Sequence, residues 1–189
     1  LSIGTSCARS VIKFNRAMDR WPASGAEWSG ARCSELDEPV DPRRAGRALR
    51  ACHEALDDFE GVLQTDGYAG YNKVCRENPI TRIGCWDHAR RKFVEASQAA
   101  PRKKKGQKVS KADVAIGKIR KLYVIEARIK DLEPEQKKAQ RQTLSRPVLD
   151  DLKIWLETNS RRVPKDSLTW IAINYTLNQW ELLIGYCED

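Results

Sequence analysis

The chain has 189 residues, with 34 lysines and arginines against 26 aspartates and glutamates, a net charge of +8 and a pI near 9.3. Hydrophobic residues make up 41%, enough for a core, yet no run of roughly 18 apolar residues could cross a bilayer. No apolar signal segment opens the chain, so the expectation is a cytoplasmic, non-membrane protein whose positive charge favours polyanionic partners, nucleic acid above all.

Leu1 to about Arg50 does not read like the rest. Apart from Val11-Ile12-Lys13-Phe14, no apolar periodicity lasts long enough for a strand or helix. Trp, Pro, Gly, Arg and Ser dominate instead, as in text read out of frame. The expectation is that residues 1–52 are disordered, divergent or out of frame, and that a regular reading begins near Cys52-His53-Glu54. Asp19, Asp37 and Asp41 follow no apolar strand and are not assigned a role.

Gly61 to Thr65 reads as a short buried strand, because Val62 and Leu63 are adjacent apolar residues rather than alternating ones. Asp66-Gly67 breaks it, which sets a carboxylate just past a strand's carboxyl end, where open α/β sheets carry their working groups. Tyr68-Ala69-Gly70-Tyr71 opens a helix that ends before Asn78-Pro79, with Tyr68 and Tyr71 on one face. Ile80 to Cys85 is a second, β-branched strand, and Trp86-Asp87-His88 leads from it into a helix. Ala89, Phe93 and Ala96 would face inward on that helix; His88, Arg91, Lys92 and Glu95 fall on another side.

Pro101 to Lys108 is a basic linker containing Arg102, Lys103, Lys104 and Lys105. Asp113 to Leu132 then reads as an amphipathic helix with Ile119, Leu122, Ile125, Ile129 and Leu132 as its stripe. Glu133-Pro134 starts a polar helix to about Ser145. Pro147 starts another, with Leu149, Leu152, Trp155 and Leu156 inward. After Arg161-Arg162-Val163-Pro164, Ser167 caps a last helix, Leu168 to Tyr186, with Ile171, Ala172, Tyr175, Gln179 and Leu182 along one side. The six cysteines form no framework and read as reduced thiols. Cys75, Cys85 and His88 offer three zinc ligands without a fourth.

The stretches FEGVLQTDGYAGYNKV and ITRIGCWDHARRKFVEA resemble the middle of an insertion-sequence-66 (IS-66) type transposase, and SLTWIAINYTLNQWELLIGYCED is similar to that family's helix before its last catalytic segment. The likeness runs from about His53 to the C-terminus. Asp87 departs from it, standing where the family carries a small residue.

The resemblance implies a DDE enzyme: an α/β, ribonuclease-H-like core, incomplete here, with an all-helical insertion, mostly helical overall. The expected layout is a partial core over 53–101, the insertion over 102–166 and a returning core helix over 167–189. Asp66 matches the family's second Asp, a ligand for Mg²⁺ (or Mn²⁺) in a two-metal phosphodiester transfer. His88, Arg90 and Arg91 match its His-Ala-Arg-Arg motif, with His88 near the scissile phosphate and the arginines as forks for phosphate oxygens. Lys103, Lys104 and Lys105 are further candidates for contact with DNA. The implied partners are transposon ends and other transposase subunits or accessory proteins of the element.

The first catalytic Asp is not recognisable, and the family's Asp-Asn-Asn…Glu-Arg stretch would follow Cys187-Glu188-Asp189. Glu188 resembles the acid that ends the helix, not the catalytic Glu. The expectation is a fragment or decayed copy, inactive alone. A non-enzymatic DNA-binding remnant and a zinc-stabilised module are the alternatives.

Overall fold

The structure is a computed structural model that describes residues 11–13, 59–67, 69–100 and 109–188. The rest of the 1–52 stretch, Tyr68 and Lys103–Lys105 lie outside the described residues. The chain divides into two compact units, Leu1–Arg82 and Ile83–Asp189.

The first unit is built on a three-stranded sheet in the order β1-β2-β3, with β1 at Val11–Lys13, β2 at Gly61–Thr65 and β3 at Ile80–Gly84. The apolar run Val11-Ile12-Lys13-Phe14 is the exception to the opening stretch's lack of periodicity, and a strand is found in it. This strand lies parallel to β2, with Val11 opposite Val62 and Ile12 opposite Leu63. An isolated pair this short is marginal, and a central strand with neighbours on both sides gives it the pairing it lacks locally.

Gly61 opens β2 at φ 141°, a conformation that side-chain-bearing residues rarely enter. Val62, Leu63 and Thr65 are buried, as a strand covered on both faces requires. Helix α1, Tyr71–Glu77, follows, and its Tyr71 and Val74 join Leu63 and Ile80 in a small core.

The second unit holds the helices. Helix α2, Trp86–Gln98, buries Trp86, Ala89, Phe93 and Ala96, the inward face that its spacing predicts. Helix α3, Lys111–Ile129, buries Ile119, Leu122, Ile125 and Ile129. Ser110 caps it, with its hydroxyl accepting from the Asp113 N–H at 3.2 Å. Asp113 also accepts from Ser97 on α2, at 2.5 Å. One carboxylate thus fastens both ends of the chain flanking the basic linker.

From Pro134 to Ser160 the two expected helices are present, the second opening at Arg146 beside Pro147, and they join with no loop between them. Helix α4, Pro134–Gln140, runs without interruption through a π-helical turn, Arg141–Ser145, into α5, Arg146–Ser160. Pro147 has no N–H to offer and its ring crowds the carbonyl four residues back. The wider turn, in which the Arg146 N–H reaches the Arg141 carbonyl, accommodates the proline without a break.

The last helix differs from the one expected. It stops at Asn178, turns at Gln179, resumes as α7 over Trp180–Ile184 and tightens into a 3₁₀ turn at Gly185–Glu188; the segment before the stop, Leu168–Asn178, is α6. The buried side is Ala172, Ile173, Thr176, Trp180, Leu183 and Cys187, while Ile171 is exposed. The expected stripe is therefore rotated by about one residue. Apolar residues surround this segment, so its own periodicity is weak and packing sets the phase.

That phase is set where β3 ends. A methyl group on Gly84 would lie 3.0 Å from the Leu183 nitrogen and 3.1 Å from the Leu182 carbonyl carbon. Two residues on, the Trp86 indole donates to the Leu183 carbonyl at 2.9 Å, and its ring meets Trp180 edge to face with centroids 6.1 Å apart.

Gly84→Ala should therefore destabilise the chain by about 1–3 kcal/mol, since backbone rather than a flexible side chain must yield. Gly117 is an internal control: nothing lies within 4 Å of its would-be Cβ, in mid-α3. Gly117→Ala should stabilise by about 0.5–1 kcal/mol. Urea unfolding of both variants checks the two signs.

Candidate DNA-handling site

Asp66 is the residue after β2, at the carboxyl end of the sheet's central strand. The structure shows what fixes that end. Arg82, on β3, donates from Nε to the Thr65 hydroxyl at 2.7 Å and from a terminal nitrogen to the Asp66 carbonyl at 2.8 Å. Its other terminal nitrogen reaches the Asn72 side-chain oxygen at 2.5 Å, and the guanidinium stands over the Tyr71 ring, 5.4 Å from its centre. One fork thus ties β2, the turn after it and α1 together. The sequence reading passes over Arg82. Its available signal is a lone cation inside a β-branched strand, which only a partner on the next strand explains.

His88, Arg90 and Arg91 lie in the second unit, on the first two turns of α2. Arg90 is exposed, and His88 and Arg91 are half-buried. Lys92, next in line, sits 4.9 Å from the centre of the Tyr175 ring. Asp87 has a partner on α3, whose Tyr123 hydroxyl donates to its carboxylate at 2.5 Å. Burial, reinforced by that hydrogen bond, pushes the Tyr123 hydroxyl far above its ordinary pKa. Burial does the same to Tyr186, and it pushes the thiols of Cys75 and Cys187 up as well.

Among the described residues no group of three or more His, Cys, Asp and Glu side chains gathers where it could hold a metal ion. A zinc site from Cys75, Cys85 and His88 is accordingly not formed, and the three cysteines described are free thiols. Nor do the described residues fit a two-metal centre, which takes about three carboxylates: no such group gathers around Asp66, the one that the resemblance assigns.

Groups with raised folded pKa values contribute stability in full below the unfolded value, about 10 for tyrosine, and lose it as pH rises further. Tyr123 and Tyr186 should therefore titrate late among the five tyrosines. Ultraviolet titration of tyrosinate should show a component above the ordinary tyrosine range, and Tyr123→Phe should remove part of it. The same variant should flatten the alkaline loss of stability.

Comparison with known proteins places the chain. The family model described as "Transposase IS66 family" matches residues 40–189, beginning ahead of His53. An uncharacterized protein of Sinorhizobium fredii, y4hP, is 33% identical over 143 residues, covering 71% of this chain and 26% of its own length. A second from the same organism, y4jD, is 32% identical over 149 residues, covering 76% of this chain and 28% of its own length. This chain thus spans about a quarter of the length of the curated relatives it matches. No solved structure matches it. The matched residues include the β2–Asp66 segment, the His88-Ala89-Arg90-Arg91 turn and the whole helical unit, and the chain belongs to the IS66 transposase family.

Proposed function

We propose that this chain is the DNA-handling middle of an IS66-type transposase, serving DNA transposition by gripping the phosphodiester backbone. The observation that carries the reading is the placement of Asp66 at the carboxyl end of the central strand β2, with parallel β1 beside it and Arg82 bracing the turn. A ribonuclease-H-like core is the fold this favours. That fold presents acids from neighbouring strand ends.

In this reading Asp66 is the carboxylate that a metal-dependent phosphodiester transfer requires at that place, and Mg²⁺ or Mn²⁺ is the ion type that carboxylate oxygens suit. The further acids would come from outside the described residues, so the work assigned to this chain is binding and orientation. Arg90 and Arg91 offer planar forks to phosphate oxygens, and His88 a ring nitrogen beside them. Lys103, Lys104 and Lys105 add point charges from the linker. Asp87 opposes Arg90 and Arg91 at the start of the same helix, and its hydrogen bond to Tyr123 ties it to α3. Catalysis by the chain on its own is not part of the reading.

Two measurements test this. Purified chain with Mg²⁺ or Mn²⁺ should neither cleave nor join DNA; metal-dependent nicking that vanishes in Asp66→Ala would show a complete centre and overturn the non-catalytic part. Duplex affinity should be weak, sequence-tolerant and steeply salt-dependent, with log K falling by roughly 0.9 per phosphate neutralised. Replacing Lys103, Lys104 and Lys105 by Gln should shallow that slope by up to about 3 without changing preference between sequences, because phosphates carry no base identity. No duplex binding at low ionic strength sinks the reading.

A further inference from the structure

The turn between α5 and α6 carries Arg161, Arg162 and Lys165, all exposed. Among the described residues none of the three side chains is paired with a carboxylate. Other cations of the same unit are engaged: Arg141 grips Glu126 through two nitrogens, at 3.0 and 2.8 Å, and Lys118 pairs with Asp151.

The turn is also held in shape. Lys111, at the start of α3, donates to the Arg162 carbonyl at 2.8 Å. Ser167 donates from both its N–H and its hydroxyl to the Pro164 carbonyl, at 3.2 and 2.7 Å, and caps α6 through the Trp170 N–H. Asp166 takes φ 62°, closing the turn in the left-handed region that Asp tolerates. An open cleft of about 340 Å³ lies here, lined by Glu157, Thr158, Arg161 and Arg162.

The geometry points to this turn as a second phosphate-contact surface, one that takes the sugar-phosphate backbone of duplex DNA at a place remote in sequence from the Lys103–Lys105 run. Two guanidinium forks and the Thr158 hydroxyl present donors around one cleft, and Lys111 and Lys165 add charge on a turn whose backbone is already ordered. Pre-ordering matters because an arginine on a fixed backbone has less freedom to lose when it meets a phosphate. The carboxylates of Glu157 and Asp166 oppose the four cations but do not outnumber them, so the contact is electrostatic and weak per group. Cations also suit the negative end of a helix such as α5 whether or not DNA binds, which is why the test needs a matched control. The inference rests on the DNA-handling reading above.

The test measures duplex DNA affinity against salt for the wild-type chain and two triple variants of equal charge. One is Arg161→Gln with Arg162→Gln and Lys165→Gln; the other replaces the exposed α3 residues Arg120, Lys121 and Arg128 by Gln. The first should shallow the slope of log K on log salt by up to about 2.7, roughly 0.9 per phosphate contact, and the second by much less. Because the substituted side chains are exposed, unfolding curves should match the wild type, which keeps a binding loss attributable to the surface.

Equal effects of the two variants would reduce the turn to general charge and overturn the inference. A wild-type slope in the turn variant would overturn it too, leaving the DNA-handling reading intact. Absence of wild-type binding at low salt would remove both.

Discussion

Gly84 brings the end of β3 so close to the backbone of Leu182 and Leu183 that a methyl group would not fit, and the larger unit is arranged around that contact. The Trp86 indole then closes a buried hydrogen bond to the Leu183 carbonyl. Such a bond, left unmade, would strand a polar group in the core, so register between α2 and α7 is strongly fixed. Phe93, Ile119, Leu152 and Ile173 fill in behind it as one fully buried cluster drawn from α2, α3, α5 and α6. The His88-Ala89-Arg90-Arg91 turn rides on the helix that this contact anchors. Its position follows from the apolar packing of Ala89 and Phe93 on the helix's inward face.

The helices between Lys111 and Ser160 contribute polar contacts as well as apolar packing. The Tyr123 hydroxyl of α3 donates to the carboxylate of Asp87. Gln142, in the π-helical turn, donates to the Cys187 carbonyl at 3.0 Å and to Glu188 at 2.8 Å. Lys138 stands 3.8 Å from the same Glu188. Glu188 is thus held by the Pro134–Ser145 segment. Polar contacts of this kind add about 0.5–1.5 kcal/mol each at most, but they define direction where apolar packing alone does not.

The cations of the larger unit divide into those with partners inside it and those left exposed. The unit Ile83–Asp189 pairs Arg141 and Lys118 internally and rests Lys92 and Lys153 on the rings of Tyr175 and Trp180. The cations left exposed on the α5–α6 turn sit on backbone that hydrogen bonds have already shaped. A net charge of +8 says only that cations are in excess; which of them are available depends on which carboxylates and rings lie nearby.

The sequence by itself determined the short-range features. β2 begins and ends where Gly61 and Asp66 dictate, α1 stops before Pro79, and Ala89, Phe93 and Ala96 face inward, because strand breaks, proline and helical period act within a few residues. The family, too, was legible, since FEGVLQTDGYAGYNKV and ITRIGCWDHARRKFVEA are long enough to be specific. Tertiary structure alone decided three things. Val11–Lys13 became a strand because β2 offered it a parallel edge. A π-helical turn, Arg141–Ser145, joined the helix that Pro147 opens to the one before it without a loop. The last helix turned its Ile173–Thr176–Trp180–Leu183–Cys187 side inward because Gly84 and Trp86 fix one face of it. Arg82 belongs with these: its partners Thr65, Asp66 and Asn72 are ten or more residues away in sequence, and it becomes the brace of the candidate site only once two strands lie side by side.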